Sequence, residues 1–308
     1  MIGIRDISVY LPAQSIDNVE QGATFGETED FIRGKIGATR LTRKADSEET
    51  SDLAVAAVER LFASSDLSAD QVDALIVVTQ NPDGSGLPHT AAIVHSKLGL
   101  GENVAAFDVS LGCSGFVYSL SILKGLMQEA GLENGILVTA DPYSKVLDPA
   151  DRVTSLLFGD ASTATWLAAD GAWQIGKPLL ATDGSGGDNL RVCDGRLEMN
   201  GRQVFNFAAL RVPPQINALL EAESLEPEDV DVYCIHQGSA AIVDAVSRRF
   251  RSVKDRFVLD MDETGNTVSS TIPILLAKYL HEPDVRRILI SGFGVGLSWA
   301  SSIITKRT

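Results

Sequence analysis

The sequence contains its own echo, and that constrains the fold more than any other feature. "LSADQVDALIVVTQ" begins at Leu67 and "LEPEDVDVYCIHQG" at Leu225, and each places Val-Asp five residues on, at Val72-Asp73 and Val230-Asp231. The spacing is 158 residues at both anchors, so the two segments align without a gap. Each reads as a helix end, a short acidic turn and a buried strand. "NGILVTADPYS" from Asn134 and "RRILISGFGVG" from Arg286 form a second pair. One repeat does not make a solenoid. It predicts two similar halves facing each other, 1–165 and 166–308, against the competing account of chance likeness between amphipathic segments. Strands and helices alternate throughout, which predicts an α/β fold with a mostly parallel sheet. At 308 residues the chain is long enough for a substantial core.

Within the first half, "DVSLGCSGFVYSL" sets Cys113 between glycines where a strand meets a helix. Upstream, "VAAFDV" alternates as a buried strand does. Downstream, Phe116, Leu120, Leu123 and Leu126 recur at helical intervals up to Gly131. A thiol beside free helix N–H groups has a lowered pKa and attacks readily. A small buried hydrophobe is the alternative for a free cysteine. The 158-residue offset carries Cys113 to Thr271, which opens the apparent helix "TIPILLAKYL" just after "DETGNTVSS". The two helix starts are thus expected to meet at the centre.

Cys113, Cys193 and Cys234 are an odd number without regular spacing, which argues against a disulfide framework or zinc site and fits a reducing cytoplasm. No signal peptide or bilayer-spanning apolar run is evident. A formal net charge of −15 disfavours nucleic acid as a partner. One segment, "SRRFRSVKDR" from Ser247, is locally basic. It suits either an acidic partner or a solvated helix end.

"DVSLGCSGFVYSL", "CIHQGSAAI", "DETGNTVSSTIP" and "ISGFGVGLSWASSII", with "EDFIRGKIGATR" and "LDPADRVTSLLFGDAS", resemble in order and spacing the β-ketoacyl-ACP synthase III family of the thiolase superfamily. The likeness covers essentially the whole chain. It implies a duplicated five-layered α-β-α-β-α fold, a homodimer, and decarboxylative Claisen condensation of an acyl-CoA primer with malonyl-ACP, without a metal or other cofactor. The triad it implies is Cys113, His236 and Asn266. Cys113 takes the acyl group, because exchanging one thioester for another is nearly neutral in energy. His236 and Asn266 supply hydrogen bonds to the enolate left when malonyl loses carbon dioxide. The N–H groups of Cys113 and Val295 would hold the tetrahedral oxyanion, and Phe293 would disfavour the malonyl carboxylate.

The resemblance also implies CoA contacts at Phe31, Lys35 and Arg152, ACP docking at Arg248 and Arg249, and an acyl-pocket position at Leu87, reaching across the dimer interface. Departures from the family pattern are informative. Ser239 and Ala241 stand where Asn and a basic residue are usual, Phe31 replaces Trp, and Lys35 replaces Arg. Leu87 replaces the Phe of acetyl-primed members, which predicts room for a longer, medium-chain primer. A secondary-metabolite relative with another primer or acceptor, and a non-catalytic partner subunit, are the alternatives. The intact triad argues against the second.

Overall fold

The structure, a computed structural model, describes residues 1–307. Its centre is a ten-stranded mixed sheet. In the first half, strand Ala74–Val78 lies parallel to both Ala105–Val109 and Asn134–Ala140; the latter runs antiparallel to Ser162–Ala168, which pairs with Gly3–Tyr10. In the second half, Val232–Ile235 lies parallel to Arg287–Gly294, which runs antiparallel to Ser298–Lys306. Strands Trp173–Ile175 and Leu179–Thr182 complete that half by pairing with Ser298–Lys306. The halves join where Gly3 and Ile4 pair with Gln174 and Trp173.

The echo has a physical basis at its acidic turn. The Asp73 carboxylate accepts the N–H groups of Glu133 and Asn134, both at 2.9 Å, at the start of the neighbouring strand. Asp231 does the same for Arg286 and Arg287 at 2.7 and 2.8 Å. Each Asp therefore fixes the register of a parallel pair that no hairpin specifies.

Five layers follow from which faces are apolar. Helix Thr50–Ser64, opened by a Glu49/Asp52 capping box, buries Leu53, Ala57 and Leu61 against the first half-sheet. Helices Gly201–Ala222 and Ala240–Ser247 cover the second half-sheet. Between the half-sheets lie Gly115–Ala130 and Thr271–Tyr279, whose Phe116, Leu120, Leu123, Ile272 and Leu275 form one core with Ile76, Val78, Ile288 and Ile290. Each such side chain contributes roughly 1.5–3 kcal/mol on burial.

The helix after Cys113 spans Gly115–Ala130 and stops at Gly131 in the left-handed region, φ 67°, as its sequence predicts. Met127, rather than Leu126, supplies its last fully buried contact. The strand Ala105–Val109 departs from expectation more. It is half-buried along its whole length, because it lies at the sheet edge with one neighbour. The strand Ser162–Ala168 runs through positions 165 and 166, where the halves were expected to divide, and pairs throughout with first-half strands.

Candidate active site

Cys113 occupies the turn just before helix Gly115–Ala130, and glycines let the chain close around it. A Cβ at Gly115 would lie 2.5 Å from the Val78 Cγ1, and one at Gly294 would lie 2.8 Å from the Cys113 Sγ. Strand Arg287–Gly294 therefore presses its end directly onto the turn that carries Cys113. The next residue, Val295, and Cys113 itself both direct a backbone N–H at the sulfur. These are the two donors that the family resemblance implies for the oxyanion.

The helix-start argument for an acidic thiol does not survive burial. Cys113 is 4% exposed, and desolvation, with the charge of Asp141 adding to it, pushes its pKa up to about 12 against the two N–H groups. The resting residue is a thiol. Two N–H groups so placed can stabilise negative charge as it develops.

His236 directly follows strand Val232–Ile235 at its carboxyl end, as the sequence predicts. It is buried, and desolvation lowers its pKa to about 3, so the ring is neutral. Nδ1 lies 2.8 Å from the Thr271 Oγ1, and Phe293 packs edge-on at 5.3 Å between ring centres. Asn266 follows Gly265, whose φ of 75° and contact with Leu41 exclude a side chain there. The Asn266 peptide is bound on both sides by the other half: its N–H donates to Leu157 O at 2.9 Å and its C=O accepts from Gly159 N–H at 3.0 Å. The Asn266 Oδ1 accepts the Val268 N–H at 2.9 Å, which leaves Nδ2 as the donor, 3.4 Å from the Gly238 carbonyl oxygen.

Cys113, His236, Asn266 and Phe293 line one cleft of about 190 Å³. Its walls are mostly apolar, and Lys35 lies on its lining with Ser239 and Gly201. Phe31 and Arg152 lie outside that lining; Arg152 is ion-paired with Glu27. Leu87 is 92% exposed and does not line the cleft of its own chain. Arg248 and Arg249 are exposed at the end of helix Ala240–Ser247, where Arg248 pairs with Asp244 at 2.8 Å.

Comparison with known proteins now bears on this site. Family models described as 3-oxoacyl-[acyl-carrier-protein (ACP)] synthase III and its C-terminal part match residues 107–184 and 220–306. The β-ketoacyl-[acyl-carrier-protein] synthase III of Streptococcus agalactiae is 36% identical over 98% of this chain and 98% of its own. The chain belongs to the β-ketoacyl-ACP synthase III family.

Solved structures agree. That of the Thermus thermophilus synthase III matches with a TM-score of 0.91 at 30% identity, covering 99% of both chains. The priming β-ketosynthase of the R1128 polyketide pathway matches with 0.89 at 27%, covering 99% of this chain and 96% of its own. The family resemblance and the thiolase-like fold expected from the motifs therefore hold, and the chain is a condensing acyltransferase.

Three features of this synthase-family site escaped the sequence reading. Leu190 and Met199, from a hairpin, and Val204 and Phe205, from helix Gly201–Ala222, line the cleft, though no motif marks them. Thr271 reads in the sequence only as a helix start. Asp141 is fully buried near Cys113; Oδ1 accepts from Gln80 N–H and Asn81 Nδ2, both at 3.0 Å, while Oδ2 has no partner. Burial raises its pKa to about 7. Among the described residues no His/Cys/Asp/Glu group is arranged to hold a metal, and no helix is long and apolar enough to cross a membrane.

Proposed function

We propose that this enzyme condenses an acyl-CoA primer with malonyl-ACP, by way of an acyl-Cys113 intermediate, to give a 3-oxoacyl-ACP in fatty acid biosynthesis in the cytoplasm. The observation that carries the reading is the Cys113 sulfur facing two backbone N–H groups in a cleft it shares with His236 and Asn266. In the first half-reaction the Cys113 sulfur bonds to the acyl carbon, the C–S bond to CoA breaks, and the thiol proton leaves on the CoA sulfur. The Cys113 and Val295 N–H groups stabilise the oxyanion between these events. In the second, the malonyl C–C bond breaks to release carbon dioxide. His236 and Asn266 hold the enolate oxygen, and the enolate carbon attacks the acyl group. Cys113 departs as a thiolate and recovers one proton from solvent. Phe293 presents an apolar edge that makes neutral carbon dioxide a better occupant than a carboxylate.

Lys35 is the best-placed of the three CoA contacts, with Phe31 and Arg152 recruited beyond the cleft. Arg248 and Arg249 supply positive charge for the acidic carrier protein. A homodimer is supported by two features: strand Ala105–Val109 has an open, half-buried edge, and Leu87 is exposed for a neighbouring copy to receive. In that arrangement Leu87 lies at the partner's acyl pocket and selects a primer longer than acetyl. The two halves divide near the end of strand Ser162–Ala168. The likeness to a priming polyketide β-ketosynthase supports a second reading, a specialised product with a different primer or acceptor.

Intact mass after incubation with acetyl- to decanoyl-CoA tests the first half-reaction. A single acyl adduct is expected, absent from Cys113→Ala and kept by Cys193→Ala and Cys234→Ala. An adduct on either other cysteine refutes the assignment. Product mass with malonyl-ACP against malonyl-CoA separates the two readings. Leu87→Phe is expected to move the primer optimum toward acetyl.

A further inference from the structure

The groups that orient His236 and Asn266 converge on one residue. Val268 is completely buried, yet its φ is 55°, a conformation that a β-branched side chain rarely adopts. Its N–H donates to Asn266 Oδ1 at 2.9 Å. Its C=O lies 3.1 Å from the Thr271 hydroxyl, and that hydroxyl lies 2.8 Å from the His236 Nδ1. One strained residue thus touches Asn266 directly and His236 through Thr271.

The Thr271 hydroxyl has one proton and two acceptors within reach. If the proton points at Val268 O, the oxygen must accept from His236, and the ring carries its proton on Nδ1. The Nε2 atom is then a bare lone pair. If it points at Nδ1, the ring proton sits on Nε2, which becomes a donor. No carboxylate is hydrogen-bonded to the ring to settle the choice. An enolate oxygen needs a donor, and a lone pair aimed at it repels it.

We propose that Thr271 is a positioning residue that donates its hydroxyl proton to His236 Nδ1, thereby holding the ring in the Nε2–H form required to stabilise the enolate. This rests on the enolate role given to His236 above. Val268 offers the competing acceptor, so the tautomer is set by a two-way choice of one proton. When that proton turns to Val268 O, the ring becomes an acceptor, a form suited to receiving a proton rather than donating one.

The test pairs spectroscopy with half-reactions. Long-range 1H–15N correlation on protein labelled at its histidines, four in all, reports which nitrogen of His236 is protonated. His236→Ala identifies the signal. Wild type and Thr271→Ser are expected in the Nε2–H form, and Thr271→Val, which matches Thr in shape but lacks the hydroxyl, in a mixture. Thr271→Val is expected to lose malonyl decarboxylation in proportion to the Nε2–H fraction its spectrum shows, about tenfold where the Nδ1–H form holds nine-tenths of the ring, while its self-acylation with acyl-CoA stays at the wild-type rate. Thr271→Ser restores decarboxylation. An Nδ1–H ring in the wild type overturns the proposal. So does a Thr271→Val protein that keeps a pure Nε2–H ring. Absence of any acyl adduct in the wild type would instead sink the condensing reading, while the spectra would still decide the tautomer.

Discussion

Asp141→Asn tests how far the buried charge beside Cys113 governs the enzyme. Burial, offset partly by hydrogen bonds from Gln80 and Asn81, carries the carboxyl from its ordinary 3.8 to about 7. That corresponds to roughly 4 kcal/mol, at about 1.4 kcal/mol for each tenfold change in proton affinity. The sign follows from proton binding. Between these two values the folded state holds a proton that the unfolded state has lost, so Asp141 makes stability fall as pH rises, and its effect is constant above about 7. Asparagine keeps an oxygen where Oδ1 accepts its two hydrogen bonds and cannot ionise. The orphaned Oδ2 position is occupied by an uncharged group in the variant and in the acidic wild type alike, so it largely cancels from the pH dependence. Urea unfolding of both proteins from about pH 4.5 to pH 8 is expected to show the variant gaining up to about 3 kcal/mol on the wild type, with no further gain above. The same change removes a negative charge that raises the Cys113 thiol, so alkylation of Cys113 at pH 8 is expected to speed up. A stability difference that stays flat across this range would refute the reasoning.

Three further outcomes follow. His236 carries the opposite dependence: its pKa is lowered from 6.5 to about 3, so its contribution is complete above 6.5 and is lost as pH falls toward 3, at about 1.4 kcal/mol per pH unit; His236→Gln is expected to resist acid better than wild type, most visibly in the Asp141→Asn background, where the compensating group is gone. Gly294→Ala places a carbon 2.8 Å from the Cys113 sulfur, so self-acylation is expected to fall by at least tenfold in a protein whose circular dichroism is unchanged. Asp231→Ala removes two charge-assisted hydrogen bonds and is expected to cost about 2–4 kcal/mol in urea titration, and a native midpoint would discount its role in register.

The strand-to-helix turn at Cys113 is legible from spacing alone, whereas His236 at a strand end and Asn266 in a turn opened by Gly265 stand out only through the family resemblance. The echo is legible because Asp73 and Asp231 each fasten a strand start, a requirement that keeps Val-Asp in register. What the sequence withholds is the environment. A helix start can be read from spacing, but burial by the surrounding chain and the charge of Asp141, which together reverse its effect on Cys113 against the N–H of Val295, come from segments distant in sequence. Thr271 acts on His236 from 35 positions away, through a single hydroxyl that no motif distinguishes from an ordinary helix start. The edge strand Ala105–Val109 misleads for a related reason: its apolar content reads as a buried strand, yet it lies at the sheet edge and is half-buried.

The central helices carry a consequence for how this molecule can be taken apart. The residue before each helix reaches into the opposite half: Ser114 shares a hydrogen bond with Ser298 at 2.7 Å, and Ser270 with Thr139 at 2.8 Å. The last turn of chain returns to the first, with Arg307 bonded to the carbonyls of Met1 and Ala169. Each half is therefore the template on which the other is finished, and neither is a transplantable module. Cut between the halves, the chain is expected to yield two fragments that remain unstructured apart and regain both shape and acyl transfer when mixed.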